Sequence, residues 1–464
     1  MTNTHGSSEY AFPGGYPTRE TIQRAYDEAD LNRAIMAYRF FYPSVSIMGT
    51  WKGNLAGGAI PNRVFALLEG TPEQLVFTPN SDTPYAGLPL DLSSDGPMVV
   101  EIPPGPVMSA VNDLNQLWVM DMGLPGPDKG KGGKYLYVPP GFKGEIPTGY
   151  QIARPTTNRI LILLRALPSP GKTPNELMQS VKVYPLERKS TWKDPTWVSL
   201  NKAGSDFTPL KWEDNLRYWQ ELHELIDAEP PYEAYRFMYG ELAELGIAKG
   251  KPFKPDARMQ AILTKAAQAG NAVMRVQSFA DRRPEKIVWK DRRWEWAVLQ
   301  SKNGTFDTAN YTDTYAREKW FYQAQIESPA MFSRDPGAGS LYWLGIRDKD
   351  GAYLEGGKTY RLTVPQPVPA KLFWSVTVYD TQTRSEIATS QNKATLRSLS
   401  ELKDISGQSP AELYFGPNAP AGKENQWIKT LPGKGWFVYF RIYGPEGSAF
   451  DGSWKPGDFE TVTS

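Results

Sequence analysis

Two blocks of short apolar runs, each run bounded by proline or glycine, flank a stretch in which those turn residues thin out and helical spacing takes over. Runs of about four to eight residues are long enough for strands but too short for helices that must bury a face. In the first block, from about Val64 to Pro185, they read QLVFT, PMVVEI, QLWVMDM, KYLYV and RILILLRAL. In the second, from Leu341 onward, they read SLYWLGIRD, KTYRLTVP, FWSVTVYD, AELYFG and WFVYFRIYG. Gly 41 and Pro 40 in 464 residues suit closely spaced strands joined by turns. Each block therefore predicts a sandwich or barrel. In FWSVTVYD, Trp374, Val376 and Val378 alternate with Ser375, Thr377 and Tyr379, which puts each set on one face of a sheet.

Helical signals surround the first block. Thr18 is placed to cap an amphipathic helix running to Ala37, with Ile22, Ala25, Tyr26, Ala29, Leu31 and Ile35 roughly on one face. Between Trp212 and Phe279 three helical stretches follow, punctuated by Pro230-Pro231 and by Gly250 to Pro255, and a fourth spans Asp313 to Gln325. The expected layout is an N-terminal polar segment and helix over 1–60, a first β domain over 61–200, a helical connector over 201–335 and a second β domain over 336–464. No fixed internal period emerges. The polar segment Ser390 to Ser409 reads as a long surface insertion.

Specific strings then become informative. PNSDTPYAGLPLDL (Pro79 to Leu92), YLYVPPGFKGEIP (Tyr135 to Pro147) and RPTTNRILILLRAL (Arg154 to Leu167) resemble the N-terminal member of a paired set of bacterial domains of unknown function, DUF1254. FWSVTVYD, the Asn425-Gln426-Trp427 segment, FRIYGP (Phe440 to Pro445) and DGSWKP (Asp451 to Pro456) resemble its C-terminal partner, DUF1214. The resemblance implies a mainly β protein of two tandem jelly-roll (β-sandwich) domains with a helical connector. In outline that arrangement is shared with double jelly-roll capsid proteins and a glycan amidase. It implies no particular reaction.

Composition removes whole classes of chemistry. Without cysteine there is no thiolate nucleophile, disulfide or iron–sulfur cluster, and His5 and His223 alone make no multi-histidine metal centre within one chain. Neither a metal nor a cofactor is expected. Lys+Arg 52 against Asp+Glu 51 leaves a formal charge of +1, so nucleic acid is not an expected partner. GPDKGKGGK (Gly126 to Lys134) lacks the Gly-Lys-Ser/Thr ending of a phosphate loop. The longest apolar run, Ile160 to Leu164, falls far short of the roughly 20 residues that span a bilayer. The sequence as given suggests a cytoplasmic protein, or a periplasmic or secreted one if a signal peptide has been removed.

The candidate residues lie in four groups. Asn80, Asp82 and Tyr85 sit at a strand entrance, where they form either an Asx-turn or a polar cluster at a pocket mouth, with Asp82 as acid/base or metal ligand and Tyr85 as donor. Read as a strand, VNDLNQLWVMD places Asp113 and Asn115 on one face and Asn112 and Trp118 on the other, which suggests a functional set or a buried network. Arg159 and Arg165, an even number apart, share a side as carboxylate binders or structural ion-pair partners, and Arg441 and Tyr443 share one face of the last long strand. Tyr315, Glu318 and Tyr322 fall on one helical stripe, either docked on a sheet or forming a lid over an inter-domain cleft. His223, on a charged helix beside Glu221 and Glu224, reads as a surface residue.

Two functions remain. One is binding of a small sugar-like or aromatic molecule near the domain junction, with hydrolysis by Asp82 and Asp113 as the least contrived reaction. The other is a non-enzymatic assembly protein of capsid-like type, and a homo-oligomer is compatible with both.

Overall fold

The protein is described by a computed structural model covering residues 10–299, 305–337, 339–404 and 410–462. The first nine residues of the polar N-terminus and residues 405–409 of the polar Ser390–Ser409 segment lie outside these described residues.

The first β block supplies β1 (Val64–Leu68), β2 (Tyr85–Asp91), β3 (Met98–Ile102), β4 (Val107–Asp113), β5 (Trp118–Gly123), β6 (Gly133–Tyr137), β7 (Gln151–Ala153), β8 (Arg159–Ala166), β9 (Lys182–Pro185) and β10 (Thr196–Ser199). They form a six-stranded sheet, β10-β1-β2-β8-β4-β5, and a four-stranded one, β7-β6-β3-β9. The second block supplies β11 (Glu295–Trp296), β12 (Ser340–Gly345), β13 (Tyr360–Val364), β14 (Ala370–Asp380), β15 (Thr395–Arg397), β16 (Ala411–Gly416), β17 (Trp427–Lys429), β18 (Trp436–Pro445) and β19 (Glu460–Thr461). These form a five-stranded sheet, β11-β12-β18-β14-β15, and a four-stranded one, β17-β16-β13-β19.

Strand for strand the two orders coincide. β1-β2-β8-β4-β5 corresponds to β11-β12-β18-β14-β15, and β7-β6-β3-β9 to β17-β16-β13-β19, while β10 is an addition to the first. The pairing senses agree as well: β6 with β7 and β16 with β17 are parallel, and β3 with β9 and β13 with β19 antiparallel. The chain thus contains a duplicated topology that shows no period in its sequence, because topology depends on strand order while loop lengths are free to differ.

Each pair of sheets closes on a core drawn from both layers. In the first sandwich Leu88, Leu90, Ile160, Ile162 and Leu164 meet Val100, Ile102, Tyr135 and Tyr137. In the second, Trp343, Val376, Val438 and Phe440 meet Tyr360, Leu362, Leu413 and Phe415. Edge strand β15 lies within the segment expected to be a surface insertion; Ala394, Leu396 and Leu402 belong to the second core, so this part of the segment is sheet and core. Its polar residues alternate with the apolar ones that hold it down.

The helices are α1 (Arg19–Ala56), α2 (Leu92–Asp95), α3 (Pro174–Gln179), α4 (Arg217–Ala228), α5 (Arg236–Glu244), α6 (Ala257–Phe279), α7 (Thr314–Gln323) and α8 (Pro329–Phe332). Helix amounts to 29% of the structure and strand to 26%, so the helical share exceeds what a connector alone would give. The main reason is α1. Thr18 caps it as expected, accepting from Thr21 N at 3.2 Å, but it runs through Pro43 to Ala56 and not to Ala37. Its first half is amphipathic, whereas residues 41–51 are buried on every side, and a helix buried all round carries no apolar stripe to detect. Close approach demands glycine here: a Cβ at Gly87 of β2 would lie 2.5 Å from Asn54 Oδ1 of α1. Helices α1, α4, α5 and α6 share an aromatic-rich core built around Tyr38, Phe41, Tyr218 and Trp219. Among the described residues no helix is long and apolar enough to cross a membrane.

Candidate functional site

The outer faces of the two larger sheets look at each other across a cavity of about 400 Å³. From the first sandwich come Tyr85 and Gly87 on β2, Met108 and Ala110 on β4, and Leu163 and Arg165 on β8, each alternating with a core residue such as Ala86, Leu88 or Leu164. From the second come Tyr342 on β12, Leu372 on β14, and Tyr439, Arg441 and Tyr443 on β18. Thr50 and Asn54 of α1 close one side, and Trp320 of α7, Ile326 and Met331 close another. Gln325 anchors that wall: its amide nitrogen donates to Thr50 Oγ1 at 2.8 Å, and its amide oxygen accepts from Phe77 N at 3.2 Å.

Most of the lining is apolar or aromatic, and its only charged members among the described residues are Arg165 and Arg441. Neither forms an ion pair with a carboxylate of the described residues. Arg165 donates from Nε to Thr83 Oγ1 at 2.8 Å and lies 4.9 Å from the Tyr85 ring centre, which leaves its buried Nη2 without a partner. Arg441, 2% exposed, donates to Tyr379 OH at 2.6 Å, Thr377 Oγ1 at 3.1 Å and Thr78 O at 3.1 Å, and its Nε is unpartnered. By contrast Arg384, also buried, is neutralised by Glu213 at 2.7 Å. Guanidinium groups stay protonated, so two cationic side chains meet in a low-dielectric cavity without a counter-ion in contact. Burial also holds the Tyr443 phenol well above its ordinary value, a shift reinforced by the nearby Asp82 carboxylate, so Tyr443 is a neutral hydrogen-bonding group.

The Pro79-to-Thr83 segment is the seam between the domains. Asn80 Oδ1 accepts from Asp82 N at 2.8 Å, closing the expected Asx-turn, and Asn80 Nδ2 donates to Tyr443 OH. Tyr379 OH donates to Pro79 O at 2.6 Å, Ser375 Oγ to Asp82 Oδ2 at 2.9 Å, and Arg397 Nη1 to Ser81 O at 2.9 Å. The polar alternation Ser375, Thr377, Tyr379 therefore faces a neighbouring domain, where an isolated sheet would face water.

The expected residues divide. Asn80 and Tyr85 line the cavity, with Tyr85 OH accepting from Asn80 N at 3.1 Å. Asp82 lines a separate, smaller pocket. Asp113 lines neither: Oδ1 accepts from Asn115 N and Leu117 N, and Oδ2 from Thr156 N and Thr156 Oγ1, at 2.6–3.1 Å. Burial nevertheless raises its pKa. The single strand expected through these residues is in fact the hairpin from β4 to β5, with Asn112 opposite Trp118, because the Asp113 carboxylate captures the turn's backbone donors. Asn115 donates to Thr156 Oγ1, and Trp118 Nε1 to Asp121 Oδ1. Arg159 shares a face with Arg165 but lies six residues away, about 20 Å along β8, where it pairs with Glu229 at 2.5 Å. Tyr315 donates to Asp281, and Glu318 pairs with Arg39 at 2.8 Å; from the same helix it is Trp320 that reaches the cavity. His223 is held on the surface by Lys251 O at 2.7 Å.

The family described as a protein of unknown function, DUF1254, matches residues 62–185, and that described as a protein of unknown function, DUF1214, matches residues 339–447. The chain belongs to the paired DUF1254–DUF1214 family. The DUF1254 match holds β1 to β9, and the DUF1214 match runs from the start of β12 through β18. The VPA0106 protein from Vibrio parahaemolyticus is similar over 94% of this chain and 100% of its own, at 16% identity and a TM-score of 0.56, which shows a shared fold. An uncharacterised protein from Burkholderia cenocepacia aligns over 95% of this chain and 96% of its own at 10% identity, with a TM-score of 0.41. No curated protein matches the chain.

Arg165, Arg441 and Tyr443 were visible as residues on strand faces, but nothing in their spacing says that the two faces meet. Glu386, which lines the smaller pocket with Asp82, carried no signal, since TRSEIATS reads as an ordinary polar loop.

Proposed function

We propose that the DUF1254–DUF1214 pair forms a binding protein for a small, largely apolar or aromatic carboxylate, held in the cavity between the two sandwiches. The observation that carries this reading is the cavity's charge: Arg165 and Arg441 enter an apolar lining with no acidic residue among the described members. A buried guanidinium without a contacting counter-ion is costly, and a ligand carboxylate supplies both the missing charge and bidentate acceptors. Unpartnered Arg165 Nη2 is the anchor, Asn80, Tyr85 and Tyr443 complete the polar end, and Trp320, Leu163 and Met108 receive the apolar body. Binding is favoured over hydrolysis because Asp82 and Asp113 do not share a cavity. Each sandwich is further read as a jelly-roll variant, supported by the repeated passage of successive strands between its two sheets.

Decanoate and 4-phenylbutyrate, each compared with its primary alcohol, test this. Both carboxylates should raise the melting temperature and titrate calorimetrically, with the alcohols about 100-fold weaker. Arg165→Met should erase the difference while leaving the fold intact by circular dichroism. Equal binding of acid and alcohol, or carboxylate binding unaffected by Arg165→Met, overturns the proposal.

A further inference from the structure

Asp82 points away from the apolar cavity into a second pocket of about 340 Å³ at the same domain seam, bounded by the loop around Gly70 and by the segment from Glu386 to Arg397. Its chemistry is opposite to that of the first. Asp82 Oδ1 and Glu386 Oε1 are both buried and without a hydrogen-bond partner, and Glu386 is only 3% exposed. Two acceptor oxygens therefore require donors that the described residues do not supply. Arg397 is already engaged, by Glu401 through Nε at 3.0 Å and by Ser81 O, and the Ser81 and Thr395 hydroxyls bond each other at 2.8 Å. Lys393 also lines the pocket and has no ion-pair partner among the described residues.

We infer that this pocket is a site for a neutral polyhydroxylated molecule such as a monosaccharide, with Asp82 and Glu386 accepting from its hydroxyls and Lys393 donating to them. A hydroxyl both donates and accepts, so one kind of group satisfies orphan acceptors and a free ammonium together. An ammonium ligand would meet Lys393 and Arg397, and an anion would meet Asp82, Glu386 and Glu69. A metal ion would meet Lys393 beside the carboxylates, which do not gather into a cluster of three or more acidic or histidine ligands anywhere among the described residues. Burial raises Glu386 to about 7, with Asp82 adding to the shift and the Ser81 hydroxyl, Arg441 and Arg397 opposing it, so at neutral pH this carboxyl both accepts and donates. The inference does not depend on the arginine-lined cavity.

Saturation-transfer NMR of the whole chain with glucose, galactose and N-acetylglucosamine is the test. At least one sugar should receive saturation, with an affinity about tenfold weaker in Glu386→Leu and in Lys393→Met, each removing one hydrogen-bonding partner. Arg165→Met should leave the sugar signal unchanged while abolishing carboxylate preference, so that the two sites fail separately. No transfer to any of the sugars, or transfer indifferent to both pocket substitutions, overturns the site; loss in Arg165→Met also overturns it, because the sugar would then occupy the apolar cavity.

Discussion

The two sandwiches share one strand order and almost nothing else. The first is filled with valine, leucine, isoleucine and methionine, whereas the second packs Trp289, Trp294, Trp343, Trp374, Trp436 and Trp454 into its core. Their outward faces differ as much: the first offers Leu163, Met108 and Ala110 beside Tyr85 and Arg165, and the second a ladder of Tyr342, Tyr379, Tyr439 and Tyr443 around Arg441. A topology is compatible with many side-chain sets so long as each core is filled and each face finds a partner. Once two copies are joined face to face, the contrast between their faces shapes the cavity: a mostly apolar wall opposite a hydrogen-bonding one.

The largest expected effect comes from the contrast between cores. Trp436, enclosed by Phe415, Tyr360 and Phe459, should cost about 3–5 kcal/mol as Trp436→Ala, and Ile162→Ala in the first core about 2–5 kcal/mol. Because the Pro79-to-Thr83 seam bonds into β14 and β18, calorimetry should show one cooperative transition in both variants. Two separated transitions would break the picture of sandwiches stabilised as a unit.

A second effect sets one acidic group in each sandwich against pH. Burial raises Asp121 of β5 to about 6 and Glu386 beyond β14 to about 7. Between the ordinary carboxylate value and these raised ones the folded chain holds protons that the unfolded chain has released. Stability should therefore fall as pH climbs from about 4 to about 7, by about 3 kcal/mol for each group. Denaturant titrations at a series of pH values check this, and Asp121→Asn with Glu386→Gln should flatten the profile. A rise in stability across that window in the parent protein would contradict the assignment.

The smallest effect separates structure from site within the first sandwich. Asp113→Ala leaves the Thr156, Asn115 and Leu117 donors without their acceptor and should cost about 1–3 kcal/mol, with decanoate affinity unchanged in the folded protein. A selective loss of affinity would tie the hairpin to the cavity.

Much of the fold was legible from local pattern. The strand runs, the cap at Thr18, the helical stretches of the middle region and the in–out alternation of FWSVTVYD all follow from periods of two and 3.6 and from turn residues. The buried half of α1 was not, since a helix enclosed on all sides shows no period. Nor was the hairpin at Asp113, where a side chain competes with the strand for backbone donors. Asn80 and Tyr85, which line the cavity, drew attention because they stand beside a turn signal. Glu386 was missed because a raised carboxyl is a property of its surroundings and not of its neighbours in sequence.

By itself the sequence determined that thiol and multi-histidine metal chemistry are closed to a single chain, that two β regions flank helices, and which side chains share a strand face, because these depend on composition and on periods a few residues long. Only the tertiary structure decided that the two regions repeat one topology, that Arg165 and Arg441 meet in one cavity, and that Asp82 is joined by Glu386 and not by Asp113. Those are contacts between residues hundreds of positions apart, and chain reversals and domain docking set them through shape and burial that no local window contains.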